Sequence, residues 1–344
     1  MRLQRNMRQT LAVLLISMAL SACANQQPCN LPLEHVWVDQ AQVKNDVTIL
    51  SSDSMQGRKT NQVGAQLARD YLNRRYQEIG LTVWSIPSST PELEHTSNTT
   101  SNSRYNHPFD YPHQFSTRQG INVVGVSLAK HPSKRWRIVT AHYDHLGKRG
   151  SRIYNGADDN ASGVAGLLAI AQHWPLTRMS EQVNLLLVAT DAEENGLHGG
   201  YAIVEALQEF AAQQQAQIEL AVNLDMIGTS PRAQRIYIEG DNNLTEFEQF
   251  KDARYQQSQL CIRNSRSMFK KGQLNRTDWL RASDHYPFHK ADIPWVYYGV
   301  PPHKHYHQTT DTADIISWSF LSATIETAMA TLQIKAADIV APSS

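Results

Sequence analysis

The chain has no charge of one sign to spare. Its 344 residues hold 32 basic and 32 acidic side chains, so the formal net charge at pH 7 is zero. A balanced chain leaves no electrostatic footprint for nucleic acid. No run of like charges suggests an interaction tail. Cysteine is scarce: the three residues Cys23, Cys29 and Cys261 have no histidine pattern that would make any of them a catalytic thiol. No internal repeat and no second domain are visible. The length suffices for one large domain with a real core.

The longest apolar run near the start, residues 11–20, is too short to span a bilayer. It follows a basic stretch containing Arg2, Arg5 and Arg8 and precedes Leu20-Ser21-Ala22-Cys23. This layout is that of a targeting segment, and its end resembles a bacterial lipobox. Residues 1–22 are therefore expected to be a lipoprotein signal peptide, with Cys23 lipidated as the mature N-terminus. Several acyl chains on one cysteine give stable membrane anchoring where one is marginal. Ala24 and Asn25 lack the aspartate that retains lipoproteins at the inner membrane, which points to the periplasmic side of the outer membrane. Residues 23–40 read as a tether and 41–344 as the single domain. Cys29 and Cys261 would be able to pair in an oxidising compartment, but nothing in the sequence brings them together, and Cys29 lies in the tether.

Beyond the tether, apolar periodicity predicts a helix over residues 66–79, stopped by Gly80, and a strand over 81–86. Residues 87–120 are rich in Ser, Thr, Asn, Pro and His without periodicity, and are expected to be a long surface loop inserted in the domain. Strands are then expected at 122–127, 136–141, 183–190, 220–224, 235–239 and 295–298. Helices are expected at 161–174, 201–215, 245–257 and 317–337. This alternation predicts an α/β fold: a three-layer sandwich with a mostly parallel, mixed central sheet flanked by helices.

Acids and histidines gather after the strands. His142-Tyr143-Asp144-His145, Asp191-Ala192-Glu193-Glu194 and Asp225 each follow a strand directly, and His303-Lys304-His305-Tyr306-His307 lies one loop beyond another. The strand C-terminal edge is where open α/β sheets bind ligands. Between two of these strands lies Gly156-Ala157-Asp158-Asp159-Asn160-Ala161-Ser162-Gly163. It leads into a helical face of Val164, Leu167, Leu168 and Ala171, with Asn160 or Ser162 as the cap. Carboxylates there sit at the favourable end of the helix dipole. Imidazole with carboxylate and no thiolate suits zinc or a similar divalent ion in a catalytic site. More carboxylates than one ion needs suggest two ions and a shared acid.

These residues, His142-Tyr143-Asp144, Gly156 to Asn160, Glu193-Glu194, Asp225, Tyr306-His307 and Asp311-Thr312, resemble the motifs of the co-catalytic di-zinc aminopeptidases. Distant relatives of that family include glutaminyl cyclases and the transferrin-receptor ectodomain. The segments from Asp53 to Arg58 and Ser283-Asp284-His285 resemble further recurring stretches. The resemblance implies two zinc ions per chain. Asp159 would bridge them, His142 and Asp225 would complete one, and Glu194 and His307 the other. It also implies Glu193 as general base, Asp144 as the residue that orients the His142 ring, and Tyr306 as a donor to the developing oxyanion.

The implied activity is hydrolysis of the N-terminal bond of peptides by a metal-activated water. The alternatives are a glutaminyl cyclase-like or carboxypeptidase-type relative, or a non-catalytic binding lipoprotein. Asp158 stays open as a turn residue or a partner of Asp159. His145, His198 and His285 read as rim or hydrogen-bonding residues, and His303 and His305 as solvated loop histidines. Nothing demands more than a monomer.

Overall fold

The computed structural model describes residues 28–85, 104–230, 234–264 and 278–342. The expected signal peptide, Cys23 and residues 87–103 of the expected insertion lie outside the described residues. In chain order the strands are β1 (Thr82–Val83), β2 (Asn106–His113), β3 (Ser116–Ser127), β4 (Arg135–His142), β5 (Gly147–Arg149), β6 (Arg152–Tyr154), β7 (Asn184–Thr190), β8 (Gln217–Leu224), β9 (Arg235–Glu239), β10 (Cys261–Asn264) and β11 (Trp295–Gly299). Nine of them form one sheet in the order β1-β3-β7-β4-β8-β11-β9-β10, with β2 paired to β3, while β5 and β6 make a separate hairpin. Strands β7, β4, β8 and β11 run parallel through the middle. Antiparallel pairing enters on either side, at β3 with β7 and at β11 with β9.

The pleat sorts side chains into two cores. Leu185, Leu187 and Ala189 of β7, with Val222 and Leu224 of β8, belong to the core under the helices Gly163–His173 and Trp318–Thr331. Leu186 and Val188 join Ala221 and Tyr297 on the opposite face, under the helix His198–Gln214. Every residue of β7 is buried because both faces are covered, which is why its sequence is a continuous apolar run rather than an alternation. The result is the three-layer α/β sandwich with a mixed central sheet.

Four segments depart from expectation. Residues 106–120 of the presumed loop are ordered: β2 pairs with β3 in register from Asn106↔Val123 to His113↔Ser116. Pro108 and Pro112 are tolerated because β2 is an edge strand, where a missing N–H leaves no central ladder bond unmade. The described part of the tether is fastened down. Cys29 and Cys261 form a disulfide, Glu34 N–H donates to Ser258 O, and the N–H groups of Val36, Trp37 and Val38 all donate to Glu326 Oε1 at 2.6, 2.6 and 3.1 Å. A helix, Gln40–Leu50, follows at once, started by Asp39 accepting from the Gln42 N–H. The C-terminal helix is shorter than expected, ending at Thr331. Among the described residues of the predicted strand 81–86, only Thr82–Val83 are strand, and Ile86 lies outside them.

Candidate metal centre

Because β4, β7, β8 and β11 are parallel, their C-terminal ends share one edge of the sheet. His142 closes β4, Glu193 and Glu194 follow β7, Asp225 follows β8, and the loop after β11 carries Tyr306 and His307. The backbone turns sharply there: Ala192, Met226 and His307 have positive φ values of 57°. Across from them the irregular turn Ala157–Ser162, with a cis peptide at Asp159–Asn160, leads into the helix Gly163–His173. Of the two expected caps, Ser162 occupies the position before the helix without a capping bond, while Asn160 Oδ1 accepts from Gly163 N–H at 3.0 Å. The same oxygen accepts from Met226 N–H, and Asn160 Nδ2 donates to Leu224 O, so one side chain joins the turn to the end of β8.

The predicted ligands converge in two triads that share Asp159. His142 Nε2 lies 3.4 Å from Asp159 Oδ1 and 3.3 Å from Asp225 Oδ1. His307 Nε2 lies 3.1 Å from Asp159 Oδ2 and 3.3 Å from Glu194 Oε2. Nitrogen and oxygen ligands at about 2.0–2.1 Å from a tetrahedral cation stand about 3.3 Å apart. The four separations match that edge length. Asp159 Oδ2 is buried and accepts no well-formed hydrogen bond, a costly arrangement unless a cation satisfies it. The donor chemistry and the spacing both fit a pair of divalent ions.

Charge at the site is crowded. Burial drives the Glu193 carboxyl well above the usual carboxylate range, with His142 opposing and Asp225 and Glu194 adding to the rise. Burial would raise Glu194 too, but His145 and His307 hold it far below its ordinary value. Burial would lower His307, and the Asp159 and Glu194 carboxylates carry it up to about 10.

Around the triads stands a frame of hydrogen bonds. Asp311 accepts the N–H of Asp158 at 2.9 Å and of Asp159 at 3.1 Å. Asp158 is structural: buried, it accepts from Gly228 N–H at 2.7 Å and pairs with His303 Nε2 at 2.8 Å. His303 is thus paired rather than solvated, whereas His305 is half-buried, with Nδ1 2.9 Å from Thr310 Oγ1. Asp144 orients His142 differently from expectation. Its backbone carbonyl faces His142 Nδ1 at 3.1 Å, while its carboxylate stands 3.8 Å away and accepts the N–H groups of Glu193 and Glu194. A hydrogen on Nδ1 leaves the Nε2 lone pair facing Asp159 and Asp225, the usual arrangement of a ligand imidazole.

The model of peptidase family M28 matches residues 122–332, a span holding every predicted ligand. The chain belongs to peptidase family M28. No curated protein matches the M28 chain by sequence. Similar solved structures include the LapA aminopeptidase of Legionella pneumophila, at 15% identity and a TM-score of 0.60, covering 85% of this chain and 70% of that one. An aminopeptidase from Aneurinibacillus sp. strain AM-1 shows 17% identity and a TM-score of 0.60, with 90% and 95% covered. The glutaminyl cyclase of Fimbriiglobus ruber shows 16% identity and a TM-score of 0.62, with 88% and 97% covered. At these identities the likeness establishes the fold.

The cleft of the M28 chain beside the triads is lined by Glu193, Met226, Trp279, Tyr297, Val300 and Tyr306. The Tyr306 ring stacks on His307, with centroids 3.8 Å apart. Two contributors had only a general place in the sequence, Arg58 in a recurring segment and His145 as a rim or hydrogen-bonding residue. Arg58 is buried and donates to four backbone oxygens, those of Leu50, Tyr143, Asn155 and Gly156, tying the metal turn to the end of β4. His145 is buried against Glu194, with Nδ1 2.8 Å from Oε1. Their signals were faint: an arginine in a turn and one histidine among several. His285, by contrast, is buried away from the triads and bonds Trp279 O.

Proposed function

We propose that this M28 peptidase is a di-zinc aminopeptidase that removes N-terminal residues from peptides. The observation that carries the reading is Asp159, whose two oxygens face one triad each. His142 and Asp225 would complete one zinc site and Glu194 and His307 the other. When bound, the ions supply Lewis-acid activation of the attacking water and of the scissile carbonyl. Glu193 lines the cleft without belonging to either triad, the place a general base must occupy. It takes the proton of the attacking water and delivers it to the departing amine nitrogen. Tyr306 donates its hydroxyl hydrogen to the developing oxyanion. Asp144 keeps the His142 ring and the Glu193–Glu194 backbone in place. Met226, Trp279 and Val300 give the cleft an apolar wall suited to an apolar first side chain.

The test is zinc analysis with a substrate panel of aminoacyl anilides, N-blocked peptides and peptides beginning with glutamine. The reading expects cleavage of free-amine substrates only, stopped by chelation and restored by zinc. Release of ammonia from N-terminal glutamine without peptide cleavage would select the cyclase chemistry named among the structural neighbours.

The setting belongs to the same proposal: lipidated Cys23 anchors the chain at the periplasmic face of the outer membrane. The Cys29–Cys261 disulfide supports an oxidising compartment.

A further inference from the structure

We propose that His145 is a positioning residue of the second metal site: it binds one oxygen of Glu194 so that the other is presented to the cation. The inference rests on the two-ion reading above. His145, Asp159 and Glu194 form a cluster that by composition alone could be a ligand set. The distances assign a different role. Two atoms bound to one tetrahedral ion stand about 3.3 Å apart. His145 Nδ1 is 2.8 Å from Glu194 Oε1 and 3.8 Å from Asp159 Oδ2, too close to the first and too far from the second. The shorter distance is that of a charge-assisted N–H to carboxylate hydrogen bond. An ionised carboxylate only accepts, so Nδ1 carries the hydrogen and has no lone pair to give a metal.

Glu194 is therefore divided between two partners. Oε1 is held by His145, while Oε2 is the atom at ligand spacing, 3.3 Å from His307. Without His145 the carboxylate would be free to rotate about its last bond. The ring itself is fixed. It is completely buried, and its backbone N–H donates to Arg58 O. Gly156 closes one side: at φ 61°, a Cβ there would lie 2.6 Å from the His145 Cδ2 atom. The glycine serves both the left-handed turn and the ring packed on it.

The test compares the wild-type protein with His145→Ala and His145→Asn. Zinc affinity is read by competition with a chromophoric chelator, the visible spectrum after cobalt(II) substitution, and the melting of each metal-free protein. The wild type should hold two ions. His145→Ala should lose about 10–100-fold in affinity for one of them and keep the other. His145→Asn places an amide N–H where Nδ1–H stood and should keep wild-type affinity and cobalt spectrum. Equal losses in both variants with an altered spectrum would make His145 a ligand and overturn the proposal. Wild-type affinity in His145→Ala would also overturn it. If His145→Ala melts early, the Asn comparison still decides between donor and ligand. A wild-type protein holding a single ion would instead defeat the two-ion reading itself, an outcome visible before either variant is measured.

Discussion

Asp311 accepts the backbone N–H of Asp159 at 3.1 Å, and its other oxygen accepts the N–H of Asp158 at 2.9 Å. A carboxylate outside both triads thus aims the one proposed to touch two. Asp311→Asn replaces one acceptor oxygen with an NH2 group facing an N–H. The expected cost is about 1–3 kcal/mol of stability, measured by denaturant unfolding of the metal-free protein. Zinc affinity should fall with it. Unchanged unfolding and unchanged affinity would mean that the turn holds its shape without Asp311.

Glu193 separates binding from turnover. Glu193→Gln keeps the shape and removes the proposed base, so activity should fall by about 10²–10⁴-fold while zinc content stays at two per chain. Steady-state kinetics beside metal analysis checks both halves. Loss of zinc in the variant would move Glu193 from base to ligand.

The Cys29–Cys261 bond closes a separation of 232 residues and pins the first described segment to β10. Removing such a crosslink should cost about 2–4 kcal/mol, with activity in the cold little changed because neither residue belongs to the triads or lines the cleft. Cys29→Ser should lower the urea midpoint, and reductant should lower it for the wild type alone. The three N–H bonds to Glu326 should hold the segment in place after reduction, which limited proteolysis near residue 30 would show.

The convergence of the proposed ligands is legible in the chain because most of them are side chains at strand ends. His142, Glu194, Asp225 and His307 are separated widely in sequence, yet a parallel sheet delivers each to the same edge, where the turn carrying Asp159 meets them. What escaped depends on the main chain or on long-range pairing. The orienting group on His142 is the Asp144 carbonyl, which no residue type announces. Strand β2 hid behind two prolines and few apolar residues, since its pairing is set by β3 rather than by its own pattern. His303 looked solvated because Asp158, its partner, is 145 residues away. The pairing of Cys29 with Cys261 stays open in the sequence because no pattern announces β10, the strand that carries Cys261.

One carboxylate is proposed to serve two ions, and the metal content of Asp159→Asn tests that sharing most directly. The wild type should carry two zinc ions per chain by elemental analysis. The variant, still folded by circular dichroism, should fail to retain both after dialysis against a weak chelator, because each triad has lost a charged member. A variant that keeps two tightly held ions, or that loses one while the other binds as in the wild type, would contradict a shared Asp159.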